Sequence, residues 1–477
     1  RYRQIPPFGQ STIRRFTANT SDLSNMAARN YEDLLQCAIP VFDGLLPHPH
    51  NTVVRDLLFI IAHWHGFAKL RMQSDLTLDI LDQITTDLGN QFRKFKIDVC
   101  AAYDARELDR EVSARSKRQT KEATRRAQAG KDKNPFKREE RPDGLRRKVS
   151  FNLQTYKFHS LGDYVSCIRH FGTTDSYSTE PGELEHRTGK GRYRRTDRKT
   201  FVRQLAQIER RQARIRRIKN RLQQPRSSEP AYNDPSIHHH IGLSEKIHDD
   251  IGSYLRLREG DPAMKNYFSR LREHLLQRAL SSQSVDSDQM ALGDTNQVLF
   301  KKNRIFHHNI ARFNYTTYDT RRDQDVINPK TSHCNIMVLS ASGETGRFRY
   351  AKVLGVHHVN IIIVGGPYQT AHRMEFLFVR WYEAVDADSC RTSLDRICFS
   401  SLDSEDAFGF LDPTDVLRAC HIIPRFSEGK RHIDGRGLSG MAGDKGDWRE
   451  YFVNRFVDRD MLMRFHYGLG VGHVYSH

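Results

Sequence analysis

The residues best suited to chemistry are concentrated between Tyr156 and His186, where carboxylates, histidines and hydroxyl groups stand close together in the sequence. The last acids of this stretch are Glu180, Glu183 and Glu185. A carboxylate that holds a divalent metal beside a phosphodiester would explain acids directly before a basic segment, because the metal polarises the phosphate while arginines hold the backbone. Such a site needs two or three converging carboxylates. Glu183 and Glu185 equally fit a helix start, where the helix dipole favours acids.

A strongly basic segment follows, from Arg187 to Arg226, with 16 Lys and Arg against two acids. Its apolar residues recur at helical spacing on one side, so the cations spread over the remaining surface and can reach successive phosphates. We interpret the segment as a binding site for nucleic acid. A solvated charged helix with heptad-like packing is the alternative, and a nuclear import signal fits either interpretation. The apolar residues are Phe201, Leu205, Ile208, Ile215, Ile218 and Leu222. The residues assigned to DNA are Arg187, Lys190, Arg192, Arg194, Arg195, Arg210, Arg211, Arg214, Arg216 and Arg217.

Helical patterns precede this block. Apolar residues recur every three or four positions from Leu57 to Met72 and again from Leu76 to Leu88, which predicts an all-helical domain over residues 1–105. Residues 106–148 hold 16 Lys and Arg against 8 Asp and Glu, which favours a charged linker that begins as a helix. Packing resumes over residues 149–226, where a long helix is predicted from Glu183 through Gln224.

The remainder of the chain is predicted to be rich in β-structure. Residues 227–296 are polar and fit a connection with a short helix, and residues 427–477 fit a tail of loops. Between residues 297 and 426, short β-branched and aromatic runs separated by turns indicate a small barrel or sandwich. Phe376, Phe378, Trp381 and Tyr382 could form an aromatic binding surface, although alternating residues of this kind are typical of a barrel core.

Composition narrows the functional classes. The chain has 477 residues and a net charge of +18, which favours several domains and an acidic partner. Seven scattered cysteines without a C-x-x-C pair indicate reduced thiols and no structural zinc site. The most apolar windows, Val53 to Gly66 and Val353 to Gly366, are too short for a membrane span and are predicted to be core.

Other polar groups are weaker candidates. His63 and His65 point to different sides of a helix, and His238 to His240 are predicted to lie in a flexible polar loop. Four aspartates near the end of the chain are expected at turns and on the surface. The glycines near the carboxyl end lack the Lys and Ser or Thr of a phosphate-binding loop. The four aspartates are Asp444, Asp447, Asp458 and Asp460.

A family resemblance extends over most of the chain. The string "YKFHSLGDYVSCIRHFGTTDSYSTEPGELEHRTGKGRYRRT", from Tyr156 to Thr196, resembles the C-terminal catalytic block of CACTA-superfamily DNA transposases, particularly the Plavaka-like fungal group. "IPPFGQSTIRRF" and "LLQCAIPVFDGLLP" resemble the helical segment that these proteins insert in an RNase H-like core. "FNYTTYDTRRDQDVINP", "FLFVRWYEAV", "DAFGFLDPTDVLRACHIIP" and "NRFVDRDMLMRFHYGLGVGH" are similar to the end of the same proteins.

The resemblance implies a multidomain α+β fold: a helical insertion and the final helix of an RNase H-like core, charged linkers, and a small β-rich barrel-like domain. It implies an Asp-Asp-Glu set that holds two Mg²⁺ or Mn²⁺ ions for DNA cleavage and transfer. Glu185 matches the Glu, with His186 and Lys190 after it, and Glu183 is the alternative. The two aspartates are expected before Arg1, so we expect no catalysis from this chain alone.

The resemblance further implies a nuclear protein whose partner is the DNA of transposon ends. The β-rich part is also loosely similar to bromo-adjacent-homology modules. The rival hypothesis is therefore a non-catalytic nuclear protein that binds chromatin or a protein partner.

Overall fold

The computed structural model describes residues 1–20, 27–128, 146–179, 182, 189–222, 237–281, 295–340, 347–364, 369–385 and 393–467. These residues form a mixed α+β fold in which helices pack against a curled antiparallel sheet shaped like a half-barrel. The chain thus has the α+β character that its sequence predicts.

The helices fall into an amino-terminal group, a central basic helix and a group that packs on the sheet. The first group is α1 (Ala28–Gln36), α2 (Ala38–Phe42), α3 (His50–Ala68), α4 (Asp75–Lys94), α5 (Asp109–Gln128), α6 (Tyr156–His159), α7 (Tyr164–Phe171) and α8 (Thr174–Tyr177). The basic helix is α9 (Phe201–Leu222). The last group is α10 (Ile251–Arg256) and α11 (Tyr267–Ser281), while α12 (Arg459–Tyr467) joins the amino-terminal group. The predicted helical stripes are confirmed in α3 and α4, while Met72 lies beyond the end of α3.

The strands begin and end as follows. They are β1 (His239–Ile241), β2 (His248–Asp250), β3 (Val298–Phe300), β4 (Arg304–His308), β5 (Ala311–Thr316), β6 (Arg322–Ile327), β7 (Asn335–Leu339), β8 (Phe348–Ile363), β9 (His372–Ala384), β10 (Arg396–Phe399), β11 (Phe408–Leu411), β12 (Val416–Ala419), β13 (Ile422–Pro424) and β14 (Tyr451–Val453). The longest strand, β8, has an irregularity in its pairing with β9 between Val353 and Gly355.

All the strand pairs are antiparallel. The larger sheet has the order β12-β7-β8-β9-β10-β14-β13, with β3 and β4 also pairing with β8, β11 with β9, and β2 with β4. A smaller sheet has the order β1-β5-β6. Because the larger sheet curls without closing, the structure is a half-barrel rather than the predicted small barrel or sandwich.

Hydrophobic cores cover both faces of the larger sheet. On one face the amino-terminal residues Ile5, Phe8 and Ile13 pack against strand residues such as Val353 and Val379. On the other face α10 and α11 pack against the buried aromatic residues of β9. The aromatic set is therefore mostly core, since Phe376, Phe378 and Tyr382 are buried and Trp381 is partly buried: the predicted core assignment is confirmed.

Two segments are more structured than their polar sequences predict. Residues 237–281, expected to be a connection, contain β1, β2, α10 and α11, and bury Tyr254 and Leu271. Residues 459–467, expected to be part of a loose tail, form α12, which packs against α3 in the core of the helical group. A Cβ atom added to Gly66 on α3 would clash with the end of the Leu462 side chain, so a larger residue there would force Leu462 to shift. Among the described helices, none is long and apolar enough to cross a bilayer.

Candidate nucleic-acid interface

The basic helix α9 begins at a well-defined capping turn. The Asp197 carboxylate accepts hydrogen bonds from the backbone N–H groups of Lys199 and Thr200, both at 2.9 Å, and from the Thr200 hydroxyl at 2.8 Å. These bonds compete with the helical pattern and give Arg198 a left-handed φ of 61°. The continuous helix predicted from Glu183 through Gln224 is therefore wrong, because the chain leaves the helix between Arg194 and Thr200.

The helix is exposed along its whole described length. No side chain described between Phe201 and Arg221 is buried, and none belongs to the hydrophobic clusters that hold the sheet and the other helices. Even apolar residues stay accessible: Ile215 is 52% exposed and Ile218 is 49% exposed. The rest of the described fold therefore leaves this basic surface open to a partner.

Five arginines form a row along one face of α9, opposite the apolar stripe. Successive members are seven, four, three and four residues apart, which keeps them on the same side of a helix. At 1.5 Å per residue the row extends over about 27 Å. Within the described parts of the chain, none of these guanidinium groups forms an ion pair with a carboxylate. The row consists of Arg203, Arg210, Arg214, Arg217 and Arg221.

Other cations of the segment are already engaged within it. Glu209 pairs with Arg216 at 2.6 Å and with Arg192, and Arg192 also donates to the Gln212 side chain. The hydrogen bond from Arg192 lowers the pKa of Glu209 below its ordinary value. This carboxylate therefore stays charged near neutral pH. Glu209 therefore partly neutralises Arg192 and Arg216, whereas the arginines of the row keep their full charge.

The structure divides the predicted DNA-binding set. Arg210, Arg214 and Arg217 lie in the row, whereas Arg211 lies beside the apolar stripe. Lys190, Arg194 and Arg195 are exposed on the short helix and turn that precede α9, and Arg187 lies outside the described residues. Sequence reasoning omitted Arg203 and Arg221 from the set, although placing every cation on a helical wheel would have identified both.

The predicted metal-binding carboxylates are not placed by the structure. Glu185, Glu183 and His186 lie outside the described residues. In the described part of the same block, Asp175 pairs with Arg71 at 2.7 Å and with Arg459 at 3.5 Å. No group of three or more metal-ligating side chains occurs within the described ranges. The metal site therefore stays a prediction, and we derive no catalytic step from it.

A cleft of about 750 Å³ lies between the helical group and the sheet, and its lining is acidic. Eight carboxylates line it against five Lys and Arg side chains. In a chain of net charge +18, this acidic cleft repels phosphates while the exposed face of α9 attracts them. The two surfaces thus differ in charge: the cleft lining has more carboxylates than cations, and the exposed face of α9 is basic.

A buried charge cluster forms the floor of the cleft. Arg418, 1% exposed, contacts Asp325 at 3.1 Å, Asp458 at 3.1 Å and Asp460 at 2.8 Å. Asp460 also accepts a hydrogen bond from Arg464 at 2.7 Å. Burial opposes ionisation of Asp460, but Arg418 and Arg464 lower its pKa below the ordinary value. The cluster joins β6, β12 and α12, so it positions the end of the chain against the sheet.

The expectation that the four late aspartates lie on the surface is therefore wrong. Asp447 is buried against Arg380 at 2.7 Å, and Asp444 accepts hydrogen bonds from the backbone N–H groups of Leu438 and Ser439. Asp460 is likewise buried in the cluster around Arg418, and Asp458 lies at its edge. Each carboxylate has a cation or N–H donors as partners, which makes its burial tolerable.

The histidine assignments also change. His63 packs against Phe59 and Phe67. The loop predicted for His238 to His240 is wrong, because β1 begins at His239, whose Nε2 atom lies 3.2 Å from Glu375. Between β4 and β8, the facing pair His307–His357 and the diagonal pair His308–His358 have ring nitrogens 3.0 and 2.7 Å apart. Each pair shares one proton in its hydrogen bond, so full protonation would break it.

We expect the buried histidines His63, His358 and His421, whose pKa values burial lowers to about 4, to make the fold sensitive to acid. His421 donates from Nε2 to the Pro6 carbonyl and accepts at Nδ1 from Asn454, and burial lowers its pKa to about 4. In the unfolded chain each such histidine binds a proton below a pH of about 6.5, whereas in the folded chain it stays neutral until its lower pKa is reached. Between these two pKa values, each histidine lowers the free energy of unfolding by about 1.4 kcal/mol for every pH unit of acidification. Urea unfolding at stepped pH should show this loss. In His421→Gln, the slope of the free energy of unfolding against pH should fall by the equivalent of one proton. An unchanged slope would show that His421 does not cause the loss of stability in acid.

Comparisons with protein-family models, with curated proteins and with solved structures find no match to this chain. The features that bear on function are therefore those of the chain itself: an exposed arginine row on α9, and an acidic cleft whose charges are largely paired.

Proposed function

We propose that this chain is a DNA-binding protein, the C-terminal part of a transposase-like protein of the CACTA superfamily, and that α9 holds the DNA backbone. The observation that carries the proposal is the row of five arginines, exposed and without carboxylate partners within the described residues. The resemblance of residues 156–196 to the catalytic block of those transposases supports the same conclusion.

The arrangement suits contacts with phosphates more than with bases. A row of about 27 Å on a single straight helix can neutralise several phosphates, and arginine binds phosphate through two parallel N–H donors. Phosphate contacts fix position and supply affinity without reading sequence. Binding by α9 is therefore proposed to be strong at low salt and weakly dependent on sequence.

Cleavage is proposed only for a complete family member. There, Glu185 would join two aspartates from outside this chain in holding Mg²⁺ or Mn²⁺ within an RNase H-like core. The helical group would correspond to the insertion in that core. In this chain α9 retains the DNA-holding role, and we expect it to act in the nucleus.

The proposal is tested by measuring affinity against salt. The full chain is titrated onto a labelled 30-base-pair duplex of arbitrary sequence, followed by fluorescence anisotropy at several NaCl concentrations between about 50 and 200 mM. With five phosphate contacts, log K against log salt should have a slope of about −4.5. Absence of binding at the lowest salt, or a slope near zero, would favour the alternative of a chromatin or protein partner.

A further inference from the structure

The apolar stripe of α9 has a strict seven-residue repeat. With Leu205 at position a of a heptad, every d position holds a large apolar residue, and the a positions hold Leu205, Gln212 and Lys219. A repeat of this kind over three heptads is the pattern of a helix that pairs with another helix. The d residues are Phe201, Ile208, Ile215 and Leu222.

The second half of the stripe is open, whereas Tyr193 packs against Phe201 and Arg192 contacts Gln212 nearer its start. Ile215 at d is 52% exposed and Ile218, at the neighbouring g position, is 49% exposed, although both are apolar. All five arginines of the row occupy c and f positions, which face away from the seam of a helix pair. A partner could therefore cover the stripe while the row remains free for DNA.

The flanking charges identify a second α9 as the partner and indicate its direction. Position e is occupied by Glu209 in one heptad and by Arg216 in the next, and position g by Arg211. Two parallel helices would place Arg211 of each copy against Arg216 of the other, which is repulsive. Two antiparallel helices bring e positions together and place Glu209 of each copy near Arg216 of the other, which is attractive.

We propose that two copies of this chain associate through antiparallel pairing of α9. The paired helices bury Leu205, Ile208 and Ile215 in the seam, with Gln212 and Lys219 fixing the register. Arg192, which in the single chain donates to Glu209 and Gln212, yields these partners to the second copy. The pairing does not depend on the DNA-binding proposal, since it uses the opposite face of the helix.

Salt should act on pairing in the opposite sense to its action on DNA binding. α9 contains eight Lys and Arg against one Glu, so two copies repel each other at low salt. Raising salt from about 0.1 M to about 1 M shortens the screening length from about 10 Å to about 3 Å. Association of the chain should therefore strengthen as salt rises.

Sedimentation velocity of the full chain without DNA, at about 1 to 100 µM, tests the proposal at both salt concentrations. Ile215→Glu should weaken association at least about 100-fold, because each dimer loses two buried apolar side chains. Asn220→Glu is the matched control: it adds the same charge at an exposed b position and should change association by less than about threefold. Since Ile215 is half exposed, neither variant should unfold the chain, which circular dichroism checks.

Charge reversal tests the direction of the two helices. Glu209→Lys should weaken association, and adding Arg216→Glu to it should restore association in the antiparallel pair. If Arg216→Glu alone strengthens the dimer, the helices run parallel and the proposed arrangement is wrong. A chain that stays monomeric at high salt, or a dimer that Ile215→Glu and Asn220→Glu affect equally, would overturn the pairing. Either result leaves DNA binding by the arginine row unaffected.

Discussion

Replacing Arg210, Arg214 and Arg217 with glutamine is expected to lower the affinity for duplex DNA about 500-fold at about 0.1 M salt. Each phosphate contact contributes about 0.9 to the slope of log K against log salt. Three contacts therefore account for a change of about 2.7 decades in affinity when the salt concentration rises from about 0.1 M to about 1 M. The slope itself should become less steep by about 2.7. These residues are exposed and have no carboxylate partner among the described residues, so the substitutions should leave the fold intact.

The matched control removes three cations from α5. Arg110, Arg118 and Arg125 are exposed on another charged helix, and their replacement with glutamine changes the net charge by the same amount. If affinity depended only on total charge, both triple variants would bind DNA equally weakly. We expect the α5 variant to keep most of the affinity and slope. Equal losses in the two variants would contradict a specific role for the row on α9.

Replacing Arg418 with methionine is expected to lower the free energy of unfolding by about 3 to 5 kcal/mol. The change leaves the carboxylates of Asp325, Asp458 and Asp460 close together without the cation that they share. Arg464 still pairs with Asp460, so Asp325, which is 6% exposed, carries most of the cost. Urea unfolding followed by circular dichroism measures the loss.

Two comparisons show whether unpaired charge causes that loss. Arg396→Met removes a partly exposed arginine that lies 3.5 Å from Glu450, and should cost less than about 1 kcal/mol. Lowering the pH should narrow the gap between Arg418→Met and the unaltered chain, because carboxylates without a cation have raised pKa values and regain stability when protonated. A gap that stays constant from pH 7 to 5 would indicate lost packing and not unpaired charge.

Local patterns in the sequence were sufficient to predict most of the regular elements. The stripes of α3 and α4 follow the 3.6-residue period, and the β-branched runs of β3, β7 and β9 have no competing helical pattern. The exposed basic helix was predicted for the same reason, since its apolar residues share one face. These elements are determined by residues close together in the sequence.

Features that depend on distant contacts could not be predicted. Asp325, Asp458 and Asp460 have the sequence context of surface residues, and only the fold brings them around Arg418. The break before α9 depends on one side chain, Asp197, which satisfies backbone donors that a helical pattern assigns elsewhere. The helix α12 was missed because it is only nine residues long, and its consecutive apolar residues Met461 to Met463 have no helical spacing until contacts such as that with α3 bury them.

The most direct test of the proposed interface is to map which arginines DNA covers. The full chain is treated with an arginine-specific dicarbonyl reagent with and without a saturating duplex, and each modified residue is quantified by mass spectrometry. We expect strong protection of Arg203, Arg210, Arg214 and Arg217, and little protection of Arg256, which is exposed at the end of α10. Equal reactivity of the four row residues with and without DNA would contradict the assignment of DNA to α9.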